Sequence, residues 1–231
     1  MNLNILSGGA AQGLVKTLAA AFKARSSFDI AGEFGAVGAM ADKLRKGAAA
    51  DIIILTAALV AKLADEKLVI PSTIKDVGLV ETTIAVRARD PTISVGSAAD
   101  LREALLASDE FYVPDTKAST AGIHVAKVLA QLGITAEMDS RLKVYPNGAT
   151  AMRELAASHA KHPIGCTQST EIISTEGVQL SGALPKGCEL ATIYTAGITT
   201  NAASANQAQI LIELLTRAES SELRARAGFI G

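Results

Sequence analysis

Four residues whose side chains could bind or react with an anion stand in or beside short loops of the sequence. Lys117 lies inside the loop "DTKASTAG", where a cation would neutralise a carboxylate or a phosphate. Arg153, one turn into the helix predicted after Asn147, is a second candidate cation. His124 falls in the first turn of the helix after the Lys117 loop, and Glu33 ends the predicted strand "DIAGEF". Lys117, His124 and Glu33 are therefore the candidate acid–base groups if the protein is an enzyme.

Six loops could bring such side chains to a ligand, because each follows a predicted strand and opens a predicted helix. In parallel α/β sheets these loops lie beyond the carboxyl ends of the strands, where helix N-termini present free backbone N–H groups to anions. The loops are residues 7–13, 35–38, 56–58, 115–122, 147–150 and 167–170. Besides Lys117 and Arg153, the predicted ligand-binding residues are Ser7, Gly8, Gly9, Ala10, Ala36, Val37, Gly38, Thr56, Ser119, Thr120, Ala121, Asn147, Thr150, Thr167 and Gln168.

The elements that position these loops alternate between strand and helix patterns along the chain. Leu14, Leu18 and Phe22 recur at helical spacing, and "ADIIILTA" is typical of a strand that is buried on both faces. Helices are predicted to end at Gly47 and Gly133. This alternation predicts βαβ units and an α/β fold with mostly parallel sheets flanked by helices.

Two predicted strands, 79–88 and 190–200, are long and partly polar, unlike the short apolar strands around them. Strands of this kind can cross between two lobes. The sequence therefore predicts one lobe from residues 1–82 plus 196–231 and a second lobe from residues 83–195.

The amino-acid composition argues against several classes of function. The chain has 22 basic and 23 acidic residues, and these are scattered, which argues against a nucleic-acid or membrane-surface partner. No apolar run approaches the roughly 18 to 20 residues that span a bilayer. Cys166 and Cys188 have neither a metal-site nor a disulfide spacing, so they are predicted to be buried thiols, and no metal or cofactor is expected.

The first residues, "MNLNILSGG", lack the pattern of a signal peptide. We therefore expect a cytoplasmic protein if Met1 is native and a periplasmic one if a leader has been removed. A monomer is expected in either compartment.

Five stretches together resemble one known family. They are "ILSGGAAQGLVKTLAAAF", "GEFGAVGAMADKLRKGAAADIIILT", "FYVPDTKASTAGIHVAKVLAQLGI", "HPIGCTQSTEI" and "ELRARAGF". The order and content of these stretches are similar to those of bacterial molybdate-binding proteins of the type 2 periplasmic binding protein fold, a family that aconitate isomerase also resembles. The resemblance implies two α/β lobes, two crossing hinge strands and an anion held between helix N-termini in the cleft between the lobes.

The sequence departs from that family where the ligand would bind. The resemblance implies serine hydroxyls before the first and second helices and a tyrosine late in the second lobe. Here the matching positions are Ala10 or Ala11, the loop 36–38 and Gln168. Because each lost charge-assisted hydrogen bond costs about 1.5 to 3 kcal/mol, molybdate is not the predicted ligand. The small residues at the first turn instead favour a larger guest.

The leading hypothesis is a protein that binds a small anion or an organic carboxylate in the interlobe cleft. The alternative is an aconitate isomerase-like enzyme, which would shift an allylic proton of an unsaturated tricarboxylate, with Lys117 and Arg153 as cations and His124, Glu33 or Lys117 as the base. Weaker alternatives are a genuine molybdate or tungstate receptor, whose partner would be an ABC permease, and a ligand-sensing domain.

Overall fold

The computed structural model describes residues 1–230, and in it the chain forms two compact units. Unit 1 consists of Met1–Val80 and the residues from Thr192 onward, and unit 2 consists of Glu81–Ala191. No helix among residues 1–230 is long and apolar enough to cross a membrane.

The first half of the chain contains β1 (Asn2–Gly8), α1 (Gln12–Ser26), β2 (Asp29–Gly35), α2 (Val37–Arg45), β3 (Ile52–Thr56), α3 (Ala57–Asp65), β4 (Lys75–Arg87) and α4 (Ala98–Ala107). The second half contains β5 (Glu110–Pro114), α5 (Thr120–Gln131), α6 (Thr135–Met138), β6 (Leu142–Tyr145), α7 (Gly148–Ala157), β7 (Pro163–Gln168), α8 (Ser169–Ile173), β8 (Val178–Ala183), β9 (Ala191–Ile198), α9 (Ala205–Thr216) and α10 (Ser221–Arg226). Residues 9–11 form a short 3-10 turn between β1 and α1. The chain passes from one unit to the other within β4 and again at the start of β9.

In unit 1 the strand order is β2-β1-β3-β9. β1 pairs in parallel with β2 and β3, so that Gly8 lies opposite Gly35 and Ser7 lies opposite Ile54, while β9 is antiparallel to β3. All five residues of β3 are buried, as expected of an apolar strand with both faces covered. The loops that follow β1, β2 and β3 therefore share one edge of the sheet.

In unit 2 the strand order is β4-β7-β5-β6, with β8 paired to the other edge of β4. β5 is parallel to β6 and β7, whereas β4 runs antiparallel to β7 and β8. The loops that follow β5, β6 and β7 again share an edge. The α/β class predicted from the sequence is confirmed, but the sheet is mixed because β4, β8 and β9 add antiparallel pairs.

The sequence pattern located most elements but missed β8 and the short helices α6 and α8. β8 is partly exposed throughout and includes a glycine, so it lacks both the apolar run of β3 and a clean alternation. Cys166 and Cys188 are free, buried thiols, as predicted. Burial raises the pKa of the Cys166 thiol to about 12.

Candidate functional site

The turn after β1 is filled by side chains of unit 1. The buried Ser7 hydroxyl donates to the Gly8 carbonyl at 2.9 Å, so its proton is already engaged. A Cβ atom at Gly8 would lie 2.8 Å from a methyl of Val37 and 3.0 Å from the ring of Tyr194. Val37 and Tyr194 therefore occupy the space beside Gly8, while the room expected at Ala10 and Ala11 stays a prediction. Tyr194 was not among the predicted site residues, since it reaches the turn only through the pairing of β9 with β3.

Backbone donors remain at this edge of unit 1. The residues before α2 and α3, Ala36 and Thr56, provide no side-chain cap. The N–H groups in the first turn of a helix have no acceptor within the helix, so those of Val37 and Gly38 are directed out of its N-terminus. Gly9 and Ala10 are the first residues of the buried 3-10 turn after β1, as Val37 and Gly38 are the first residues of α2. Their predicted role in binding an anion stays a prediction.

Glu33 lies on β2 with an exposed side chain, and its carboxylate forms an ion pair with Lys43 of α2. The sequence suggested instead that Glu33 projects toward the ligand or caps the next loop. As a general base, Glu33 would first have to leave Lys43.

In unit 2, the loop after β5 is organised by Asp115. Its carboxylate accepts the N–H groups of Lys117 at 2.7 Å and Ala118 at 2.8 Å. A Cβ atom at Gly122 would lie 2.2 Å from the Asp115 carbonyl oxygen, so only glycine lets the loop pass this closely over α5. The Lys117 side chain is exposed on this loop.

The start of α5 lies directly beneath that loop. Ser119 precedes the helix and makes no side-chain cap. The N–H groups of Thr120 and Ala121 therefore lack both a capping side chain and a partner within the helix. They form the unit 2 counterpart of the donors at the α2 and α3 N-termini.

His124 holds a neighbouring segment in place. Its Nε2 lies 2.8 Å from the Cys188 carbonyl oxygen, and because a carbonyl can only accept, Nε2 carries the proton. Gln131, farther along α5, donates to the Gly187 carbonyl at 3.0 Å. His124 thus has a structural contact that the sequence did not indicate. The aconitate isomerase hypothesis stays a prediction, and two of its three candidate bases, His124 and Glu33, already have partners within the protein.

The loop before α7 is capped by its own residues. The Asn147 side chain accepts the Thr150 N–H at 2.8 Å, and the exposed Arg153 donates to the Thr150 hydroxyl at 2.9 Å. These bonds hold the loop in place, and the predicted role of the three residues as ligand contacts stays a prediction.

A buried carboxylate occupies the space beside that loop. Glu171 accepts the Thr167 hydroxyl at 2.6 Å and backbone N–H groups of Gly148, Ala149 and Gln168. Burial raises the pKa of the Glu171 carboxyl, and these hydrogen bonds oppose the shift. A Cβ atom at Gly148 would lie 1.9 Å from a Glu171 oxygen. The N-terminus of α7 is therefore filled by the protein's own anion, and the Thr167 hydroxyl, predicted to contact the ligand, is bonded to it.

Unit 2 also contains a set of buried polar side chains without partners, which we call the orphan set: Gln168, Thr170 and Thr82. Each is 2% exposed. Neither amide atom of Gln168 and neither hydroxyl of the two threonines has a hydrogen-bond partner among residues 1–230. Thr82 lies directly opposite Gln168 in the β4–β7 register, so their side chains share one face. Because an unpaired buried polar group costs about 1 to 3 kcal/mol, the orphan set indicates a site for a polar guest.

Only part of this site could be predicted from the sequence. Gln168 was predicted, and Thr82 stood out as a polar residue in a long strand. Glu171 was missed, since its role depends on contact with the Gly148 backbone in another loop. Among residues 1–230 no group of His, Cys, Asp and Glu side chains could hold a metal ion.

Comparison with known proteins supports this description of the fold. The family model described as "Bacterial extracellular solute-binding protein" matches residues 3–230. No curated protein sequence matches the chain. Among solved structures, the periplasmic molybdate-binding protein of Azotobacter vinelandii shares 15% identity over 99% of each chain, with a TM-score of 0.83.

Two further structures have the same fold at similar identity. The sulfate-binding protein SubI of Mycobacterium tuberculosis H37Rv has a TM-score of 0.74 and 17% identity over 99% of this chain and 86% of its own. The L-phospholactate-bound PEB3 has a TM-score of 0.70 and 17% identity over 99% of both chains. At these identities the likeness shows the fold and leaves the ligand open.

Proposed function

Since the chain belongs to the bacterial extracellular solute-binding proteins, we propose that it binds a small anion or an organic carboxylate rather than molybdate. The observation that carries this proposal is the orphan set of Gln168, Thr170 and Thr82, which is buried in unit 2 without partners. A protein that kept these groups unpaired with no ligand to serve would lose stability without compensation.

The charge of the ligand is inferred from the helix N-termini. In unit 1, the uncapped starts of α2 and α3 offer backbone N–H groups, and in unit 2 the start of α5 does the same. Helix N-termini favour negative charge through their free N–H groups and through the helix dipole. Lys117, exposed on the loop before α5, would add a full positive charge for a carboxylate.

The size and type of the anion follow from the donors that the chain lacks. Ala10 and Ala36 cannot supply the hydroxyls that the family resemblance implies, and the Ser7 proton is bound to the Gly8 carbonyl. A compact oxyanion such as molybdate needs a full shell of such donors, and each missing one costs about 1.5 to 3 kcal/mol. An organic anion can use the amide and hydroxyl groups of the orphan set instead. The neighbours described as binding molybdate, sulfate and L-phospholactate show that this fold accepts anions of different size.

A thermal-shift screen tests the proposal. Molybdate, tungstate, sulfate, phosphate, citrate and cis- and trans-aconitate are compared with potassium chloride at matched ionic strength. We expect one or more of the carboxylates or phosphate to raise the melting temperature in proportion to the logarithm of its concentration. If molybdate or tungstate alone raised it, the proposal would be wrong.

The same ligand would be delivered to a membrane permease if the protein serves transport. Genes for a permease and an ATPase beside this one would support that role. A neighbouring catabolic cluster for di- or tricarboxylates would instead support use of the ligand inside the cell.

A further inference from the structure

We propose that the ligand carries a hydrogen-bond donor of its own, an O–H group that binds the side-chain carbonyl of Gln168. This inference rests on the proposed function and deepens it. It distinguishes hydroxy acids and hydrogen phosphates, which can donate a hydrogen bond, from anions that can only accept hydrogen bonds. The chemistry that Gln168 would recognise is thus an anion with an attached hydroxyl.

The orphan set contains two kinds of polar group, hydroxyl groups and an amide group. The hydroxyls of Thr82 and Thr170 can turn to donate or to accept, so they adapt to any polar guest. The Gln168 amide cannot, because its nitrogen only donates and its oxygen only accepts. If the amide oxygen and nitrogen of Gln168 were interchanged, the site would still contain one buried acceptor and one buried donor group without partners.

A fully deprotonated oxyanion can satisfy only half of this amide. Its oxygens would accept from the Gln168 nitrogen and from the threonine hydroxyls. The amide oxygen would remain buried, since Gln168 is 2% exposed, and would face a ligand with no proton to give. A ligand that donates to this oxygen gains a hydrogen bond that such an oxyanion lacks, which is worth about tenfold or more in affinity.

No group among residues 1–230 donates a hydrogen bond to the Gln168 amide oxygen. Glu171, three residues after Gln168, accepts from Thr167 and from backbone N–H groups, one of which belongs to Gln168 itself. Thr83, next to Thr82 on β4, points to the opposite face because side chains alternate along a strand. Its hydroxyl is also without a partner among residues 1–230. Polar sites built for a ligand hydroxyl discriminate strongly against analogues that lack it.

The inference can be tested by calorimetric titration with two matched pairs of probes at neutral pH. Phosphate and sulfate have the same shape, but only phosphate retains a proton. Malate and succinate are both dicarboxylates, but only malate has a hydroxyl. We expect the donor-bearing member of at least one pair to bind about tenfold or more tightly than its partner. The pair that shows the preference identifies whether the donor belongs to a phosphate or to a hydroxy acid.

Three variants test whether any preference comes from the Gln168 amide. Gln168→Met keeps the length of the side chain and removes its polar atoms, so we expect the preference to disappear. Gln209→Met makes the same change on the exposed surface of α9 and should leave it intact. Thr82→Val, a smaller change on the same face as Gln168, should weaken both members of a pair together and retain their ratio.

Three results would overturn the inference. The first is equal affinity within both pairs for the unmodified protein, with sulfate or succinate bound, which would leave the proposed function standing. The second is a preference that persists in Gln168→Met. The third is no binding of any of the four probes or of the anions in the thermal-shift screen, which would remove the proposed function as well.

Discussion

Glu171 is an anion that unit 2 supplies to itself. Its carboxylate accepts backbone N–H groups at the start of α7, where a solute could otherwise bind, together with the Thr167 hydroxyl. The Glu171 carboxyl thus occupies this helix N-terminus, and the proposed ligand would find its donors at other helix N-termini and in the orphan set. Glu171, three positions after the end of β7, therefore determines which loop is available.

The buried carboxyl makes the stability of the protein depend on pH. Burial raises the pKa of Glu171 in the folded state, so the folded protein holds this proton more tightly than the unfolded chain does. The resulting contribution is complete below the unfolded pKa and is lost as the pH rises through the folded pKa. We expect the free energy of unfolding to fall with rising pH in the unmodified protein and less steeply in Glu171→Gln.

Urea denaturation between about pH 4 and pH 8 measures this difference. Glu176→Gln, on an exposed position after α8, is the matched control and should follow the unmodified protein. Parallel profiles for Glu171→Gln and the unmodified protein would contradict the account.

Lys117 is predicted to add charge to the site. Because its side chain is exposed, Lys117→Ala should leave stability within about 0.5 kcal/mol of the unmodified protein. The affinity for a carboxylate should fall by about 1 to 3 kcal/mol, since a charge-assisted bond is lost. Calorimetry on Lys117→Ala beside Lys127→Ala, an exposed lysine on α5, tests this. Equal affinity in the two variants would place Lys117 outside the site.

At the scale of elements, the loop between β5 and α5 depends on close backbone contact. A Cβ at Gly122 would lie 2.2 Å from the Asp115 carbonyl and 2.4 Å from the Pro114 carbonyl, and backbone atoms cannot move aside cheaply. We expect Gly122→Ala to lower the free energy of unfolding by about 2 to 4 kcal/mol. It should also weaken anion binding, because it displaces the N–H groups of Thr120 and Ala121.

Gly96→Ala provides the control for this change. A Cβ at Gly96 would make only an ordinary contact, 3.5 Å from an Asp100 carboxylate oxygen. Denaturant unfolding of both variants compares their stabilities. A Gly122→Ala protein as stable as Gly96→Ala would show that the loop is not held as closely as described.

The elements also show how far the sequence could lead. Leu14, Leu18 and Phe22 are buried on one face of α1, as their spacing predicts. Gly47 and Gly133 follow the ends of α2 and α5 with φ angles of 85° and 66°, conformations that glycine adopts without strain. Such signals are local. The partners of Glu171 and the filling of the first turn by Tyr194 depend on contacts between distant segments, for which the sequence carries no periodic pattern.

At the scale of the whole molecule, the family model covers nearly the entire chain and the fold matches solved anion-binding proteins. The family resemblance predicted this fold from short motifs, because strand-to-helix turns and their glycines follow from backbone geometry. The identity of the ligand could not be predicted from the resemblance in the same way. Substitutions such as alanine for serine change the donors of a turn and leave its path intact.

The most direct test of the central claim is calorimetric titration of the unmodified protein with malate, phosphate and molybdate in one buffer at neutral pH. The account expects saturable binding of malate or phosphate with one site per chain and a much weaker or unmeasurable response to molybdate. Saturable binding of molybdate, with no response to either of the other two anions, would contradict it.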